Sequence, residues 1–330
     1  MNKAFCSFIL YMVMLALLFT PAVSCTKDDE QEKEEVIDVK KDNRELPEVY
    51  WNKSTKDLIV GMELTSLHYN TLKLTGGTIE YIPPMGTILT VGQDQVIKIK
   101  FTPNDTLRYK TLTDSCKINV LPLPVTTDYD GNEYHSVVIG QQVWMLENLK
   151  TTHYRNGDAI QNAITNKEWM NRAASYCNYN NDEANGMKYG RIYNDLAMMD
   201  PRQITPAGWH VPTTSDWNAL AAHLVYKGHN YDQSTSGYQK LAKALSATTD
   251  WLPSTVEGSP GNDLTKNNSS GFTALPGGKR YGDGPFDGLG DLCVWHTKEN
   301  LPSRQIYLNS SSLETYVING GLYIRCIKDF

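Results

Sequence analysis

The sequence predicts a multi-domain chain, an all-β sandwich of modest size followed by a larger α+β domain, carried behind an export segment. Three observations predict it. In V-I-K-I-K-F at 96–101, apolar and charged residues alternate with the period of a strand that buries one face. Farther along, Thr165 with Glu168 and Thr213 with Asp216 have the spacing of capping boxes that start helices. At the amino terminus, an apolar run from Ala4 to Phe19 precedes the small residues Ala22, Val23 and Ser24. With 40% hydrophobic and 21% charged residues among 330, a multi-span membrane protein and a wholly disordered chain are both excluded.

Residues 1–24 read as a signal peptide, with Lys3 as its positive end and a core somewhat short of the roughly 20 residues a spanning helix needs. A-V-S-C at 22–25 resembles a bacterial lipobox. That resemblance implies a lipoprotein acylated on Cys25, palmitate among its chains, with the lipid bilayer as its first partner. Each buried methylene contributes about 0.8 kcal/mol, so several chains hold a folded domain without a transmembrane helix. The following T-K-D-D-E is similar to the short acidic signal that sends lipoproteins of the Bacteroidetes to the cell surface. The expected location is therefore the outer membrane, exposed outward.

The net charge of −6 is mostly a property of residues 25–48, which hold ten acids against five bases. This stretch has only scattered apolar residues and is expected to be a disordered, extended tether. With the acidity confined there and no basic field elsewhere, no nucleic-acid partner is expected.

Residues 49–122 make the β module. Cys116, Ile118 and Val120 alternate with Lys117 and Asn119, which aims Cys116 at the core. Turn signals recur at the spacing of a small sandwich. G-G-T-I-E-Y-I-P-P-M-G-T-I-L-T-V-G at 76–92 and F-T-P-N-D-T-L-R-Y-K at 101–110 resemble bacterial immunoglobulin-like repeats of cell-surface proteins, which implies a spacer role.

Residues 127–330 form the α+β block and carry six of the seven tryptophans. Asp130-Gly131 and Gly140-Gln141 sit between apolar runs and predict two successive hairpins. The first capping box predicts a helix to about Tyr176. The second precedes W-N-A-L-A-A-H-L, where Trp217, Leu220, Ala221 and Leu224 share a core-facing stripe. Six motifs then occur in order: I-G-Q-Q-V-W-M-L-E-N-L, A-S-Y-C-N-Y-N-N-D-E-A-N, Y-G-R-I-Y-N, G-W-H-V-P-T-T-S-D-W, S-S-G-F-T-A-L-P-G-G-K-R and I-R-C-I-K-D. Together they resemble the Fibrobacter succinogenes major paralogous domain. The resemblance implies a C-type lectin-like fold, shared with formylglycine-generating proteins, on a secreted or surface lipoprotein. Where that family often has Cys before Pro, this chain has Thr205-Pro206, so Cys326 lacks its family partner. The departure implies a compensating bridge between Cys293 and Cys326, with Cys177 as the alternative partner.

No catalytic, metal or cofactor residue is assigned. H-E-x-x-H and G-x-S-x-G are absent, and His210, His223, His229 and His296 lack ligand spacing. The G-N-V-W-E-W and R-G-G-S-W motifs of formylglycine-generating relatives are also absent. Asp283, Asp287 and Asp291 lie in a Gly-rich loop whose oxygens suit calcium, with a solvated turn as the bland reading. The expected function is that of a non-catalytic binding domain for a glycan or a surface protein. The alternatives are a structural or tip component of a surface assembly such as a fimbria and, behind it, a formylglycine-generating-like or hydrolytic enzyme.

Overall fold

Alternation in the V-I-K-I-K-F segment becomes burial: Ile97, Ile99 and Phe101 are enclosed while Lys98 and Lys100 face outward. The computed structural model describes residues 42–53, 56–299 and 301–330. The signal segment 1–24, Cys25 and the tether through residue 41 lie outside the described residues. The opening strands are β1 (Val49–Trp51), β2 (Leu58–Ile59), β3 (Thr71–Lys73), β4 (Gly77–Ile82), β5 (Gly92–Pro103) and β6 (Leu112–Leu121). They form a four-stranded sheet in the order β2-β6-β5-β4 and a separate β1-β3 ribbon. Aromatic contacts join the layers: the Trp51 and Tyr69 rings stack at 6.2 Å, and Tyr69 meets Tyr81 of β4 at 4.5 Å. Cys116 is only half-buried, at the margin of this core.

The tether expected to run through Glu48 ends sooner. Glu45 exchanges backbone hydrogen bonds with Arg108 and Lys110, its carboxylate pairs with Arg108 at 3.1 Å, and Pro47 is buried. These bonds give the polar backbone of residues 45–48 partners on the sheet module, which composition alone does not reveal.

The β module is not a freely jointed spacer, because Arg44–Phe330 form one compact unit. One apolar cluster includes Leu58, Ile59 and Ile97 from the early strands and Tyr134, Val143 and Met145 from the later block. At the junction, Gln141 Nε2 donates to the Glu63 carbonyl at 3.0 Å and Lys227 Nζ lies 2.5 Å from the Glu63 carboxylate. Gly61 adopts φ +100°, and a Cβ there would come within 3.3 Å of Val138.

In the later block both hairpins form. Thr126–Thr127 pairs with Glu133–Tyr134 around Gly131, and Ser136–Ile139 pairs with Gln142–Met145 around Gly140. The chain's last strand, Ile327–Lys328, inserts between Gln142–Met145 and Trp209–His210. A second sheet is built from Gly277–Tyr281, Phe286–Leu289, Leu292–Trp295, Ser303–Tyr307 and Leu313–Tyr316, with Gly320–Gly321 on its side. The helix Thr214–Tyr226 starts at its capping box and buries Trp217, Leu220 and Leu224, as the stripe predicts. The other box starts only a short helix, Asn166–Met170, and Ser175–Cys177 is a strand. Arg172 at φ +55° ends helical geometry there, and the strand pairs with Gln161–Asn162 and Ile192–Tyr193. Trp144, Trp217, Trp295 and Phe272 meet at the centre, with Trp144 and Trp217 at 4.7 Å and Trp217 and Trp295 at 5.3 Å.

Candidate functional site

The inserted last strand determines what lies at one end of its sheet. Pairing of His210 with Ile327 brings Asp329, just past the strand, beside the imidazole. His210 Nδ1 lies 2.6 Å from Asp329 Oδ1, and Nε2 lies 3.3 Å from Asp216 Oδ2. Asp216 is also the third residue of the capped helix, accepting from the Thr213 amide at 2.8 Å and hydroxyl at 2.6 Å. Burial acts to raise its carboxyl pKa, but the Thr213 donors and His210 hold it below the ordinary value.

The opposite wall is the turn after the short helix Asp195–Met198. Arg202 bonds Asp200 at 2.8 Å and holds that carboxyl down to about 2. Arg202 also reaches Asp158 at 3.1 Å and lies over the Tyr154 ring at 4.1 Å. Gln203 takes φ +61° to turn the chain into Thr205. Arg155 closes the back, donating through Nε to the Thr205 carbonyl at 2.9 Å and through Nη2 to the Thr205 hydroxyl at 3.1 Å.

Between the walls is a cleft of about 550 Å³, bordered by His210, Asp329, Asp200, Gln203, Met199 and Lys298. Asp329 is bonded to the imidazole and Asp200 to Arg202. The Lys298 ammonium and the Gln203 amide make no side-chain hydrogen bond or ion pair among the described residues, and exposed Met199 adds an apolar ledge. Such a lining can hold a polar ligand by hydrogen bonds and one positive charge. His210 has a carboxylate on each ring nitrogen, Asp329 on Nδ1 and Asp216 on Nε2.

The other sequence candidates are dispersed. His296 is buried, with Nε2 2.8 Å from the Tyr193 carbonyl, and His223 packs against Gly140. His229 Nδ1 lies 2.9 Å from the Ser269 hydroxyl, but no carboxylate orients that imidazole among the described residues. Asp287 instead accepts from Tyr281 at 3.1 Å and Asp283 borders a separate cavity, so the loop acids do not converge on calcium. Among the described residues no group of three or more His, Cys, Asp or Glu could hold a metal. All six tryptophans of the block are buried, so none offers an open ring face to a sugar.

The Cys293–Cys326 bridge does not form; both are free thiols, as are Cys116 and Cys177. Cys293 packs in the cluster around Trp217, whereas Cys326 belongs to the one containing Met145 and Trp209. Arg325 and Cys326 are successive residues with different surroundings: Arg325 acts on Cys293, and Arg155 acts on Cys326. Burial pushes the thiols up, to about 11 for Cys177 and about 12 for Cys293, which disfavours a thiolate nucleophile. In place of a bridge, Thr205 Oγ1 donates to the Trp209 carbonyl at 2.8 Å while accepting from Arg155.

The sequence profile of the Fibrobacter succinogenes major domain matches residues 137–328, more than half of the chain. The chain belongs to the Fibrobacter succinogenes major domain family. No curated protein and no solved structure matches it. Within the matched Fibrobacter succinogenes major domain, the motif G-W-H-V-P-T-T-S-D-W supplies His210 and Asp216 of the cleft. Asp329 lies one residue beyond the match. His210 stood out in the sequence only as a histidine without ligand spacing, and Lys298, Gln203 and Arg155 lie outside the six motifs; Thr205-Pro206 was visible only as a departure from the family's Cys-Pro.

Proposed function

We propose that this chain is a surface-exposed bacterial lipoprotein whose later domain binds a glycan or protein ligand without catalysing a reaction. Cys25 is its acylation point and the outer membrane its location, on the strength of the signal layout, the lipobox and the acidic residues that follow. Residues 49–122 are read as an immunoglobulin-like module and 127–330 as a C-type lectin-like one. The observation that carries the binding reading is the His210 cleft, where Asp329 is engaged by His210 and Asp200 by Arg202, and Lys298 and Gln203 are left to meet a ligand. A pre-bonded lining of this kind favours recognition over proton transfer.

The test is a glycan array probed with the Cys25→Ala protein, with and without calcium, beside its Lys298→Ala and Gln203→Ala variants. Binding that falls at least several-fold in both variants supports the cleft. A blank array in both conditions removes the glycan reading. Surface proteolysis of intact cells tests location, since complete protection contradicts outward display.

A second reading, a subunit of a surface assembly, is favoured by β4, which is hydrogen-bonded on one side only among the described residues and has Ile82 exposed at its end. Open strand edges pair readily with other chains. Cross-linking on cells that captures a neighbour through β4 supports it, and capture of monomer alone counts against it.

A further inference from the structure

Four arginines are buried in the later block, and they are held in different ways. Arg191 pairs with Glu183 at 2.9 Å. Arg280 donates from Nε to the Gly284 carbonyl, from Nη1 to the Ala163 carbonyl and from Nη2 to Asn166 Oδ1. Arg304 donates from Nη2 to Asn218 Oδ1 at 2.7 Å and has Glu299 nearby, while its Nε is sealed without a partner among the described residues.

Arg325 borders a cavity. It is 1% exposed, makes no ion pair, and donates from Nε to Asn148 Oδ1 at 3.1 Å and from Nη1 to the Phe272 carbonyl. Its Nη2 has no acceptor among the described residues, yet that nitrogen is not among the sealed, unpartnered buried atoms. The cavity has a volume of about 230 Å³ and is lined by Arg325, Asn148, Tyr189, Leu275, Lys150 and Lys188. Phe272 and Trp295 lie against the guanidinium at 4.5 and 5.6 Å and hold its plane in place.

The rim adds charge of the same sign. The Lys150 ammonium has no partner among the described residues, while Lys188 is held by Asp250. Glu147 also borders the cavity, but its carboxylate is engaged by the His135 ring at 3.0 Å and the His135 amide at 2.9 Å. Burial draws the Arg325 pKa down to about 10, against the opposing pull of Cys293 and Glu147.

We propose that this cavity is a binding site for a carboxylate, held by the free Arg325 Nη2 and the Lys150 ammonium. Two donor groups match the two oxygens of a carboxylate; a phosphate, with more oxygens and more charge, would leave part of its surface against Leu275 and Tyr189. Those apolar walls suit the carbon skeleton of a sugar acid or of an acylated amino acid. The site shares no lining residue with the His210 cleft, so it stands whether or not that cleft binds a glycan.

Calorimetry on the Cys25→Ala protein tests this with sodium glucuronate, N-acetylglycine, glucose and inorganic phosphate. Glucuronate or N-acetylglycine is expected to bind, more weakly as salt rises, while glucose does not. Whichever carboxylate binds tighter names the source, sugar acid or peptide. Lys150→Ala, a rim change, is expected to weaken binding about tenfold, and Arg325→Lys at least as much. If Arg325→Lys does not fold, Lys150→Ala alone decides. Failure of both carboxylates to bind, tighter binding of phosphate, or unchanged affinity in a folded Lys150→Ala variant would overturn the proposal.

Discussion

Asp329 Oδ1 lies 2.6 Å from Nδ1 of His210, a contact between residues 119 positions apart that fastens the end of the chain to the wall of the cleft. His210 in turn reaches Asp216 at the start of the long helix, so one imidazole links strand, tail and helix.

The two ends of that link differ in worth. Thr213→Ala removes a cap from a half-buried helix start and should cost about 1 kcal/mol, whereas Asp329→Ala, at a side chain 55% exposed, should cost about 0.5 kcal/mol or less. Urea denaturation of both variants checks the order; a larger loss for Asp329→Ala would mean that the tail anchors more than its exposure suggests.

Asp200 gives a pH signature. Arg202 lowers its folded-state carboxyl to about 2 from 3.8, so the contribution of this carboxylate to stability is present above the unfolded value and lost as pH falls through the folded one. Asp200→Asn should therefore be less stable than the parent at neutral pH, and the gap should close between about pH 4 and pH 2. A gap that stays constant across this range would contradict the ion-pair origin.

Trp217 sits between Trp144 and Trp295 with no exposed surface. Replacing it by Ala leaves a cavity that neighbours on two sheets cannot all fill, and a loss of about 3–5 kcal/mol is expected. Chemical denaturation measures it. A loss near 1 kcal/mol would indicate that the aromatic cluster collapses freely into the space.

The thiols predict a labelling order. Half-buried Cys116 should react with iodoacetamide first, and Cys177, Cys293 and Cys326 only after unfolding, each as a free thiol. Mass mapping of a non-reduced digest settles the matter, because a peptide linking Cys293 to Cys326 would refute the separation of their two clusters.

The shared apolar cluster and the Glu63–Lys227 pair predict that residues 44–330 unfold together. Calorimetry should show a single transition, with Lys227→Ala lowering it slightly. Two resolved transitions would mean that the β module folds by itself.

Much of the local structure was legible in advance because it depends on near neighbours. Ile97, Ile99 and Phe101 alternate with lysines, Thr213 and Asp216 cap one another three residues apart, and Gly131 and Gly140 turn two hairpins; each is a relation within a few positions. The helix expected to reach Tyr176 failed because Ser175–Cys177 finds strand partners on both sides, and such pairing outweighs a local preference. Lys298 and Gln203 carried no pattern at all, and Arg325, though inside I-R-C-I-K-D, gave no sign of the cavity it borders, since such a residue is defined by what faces it.

The sequence by itself determined the acidic stretch of residues 25–48, the kind of secondary structure in much of each module, and membership of a family through its ordered motifs. Only the tertiary structure decided that the β module shares a core with the later block, that Cys293 and Cys326 are kept apart, and that Arg325 is buried without an ion pair among the described residues. The reason is strand order: inserting Ile327–Lys328 between Gln142–Met145 and Trp209–His210 brings distant residues together, and no periodicity along the chain encodes which pairs will meet.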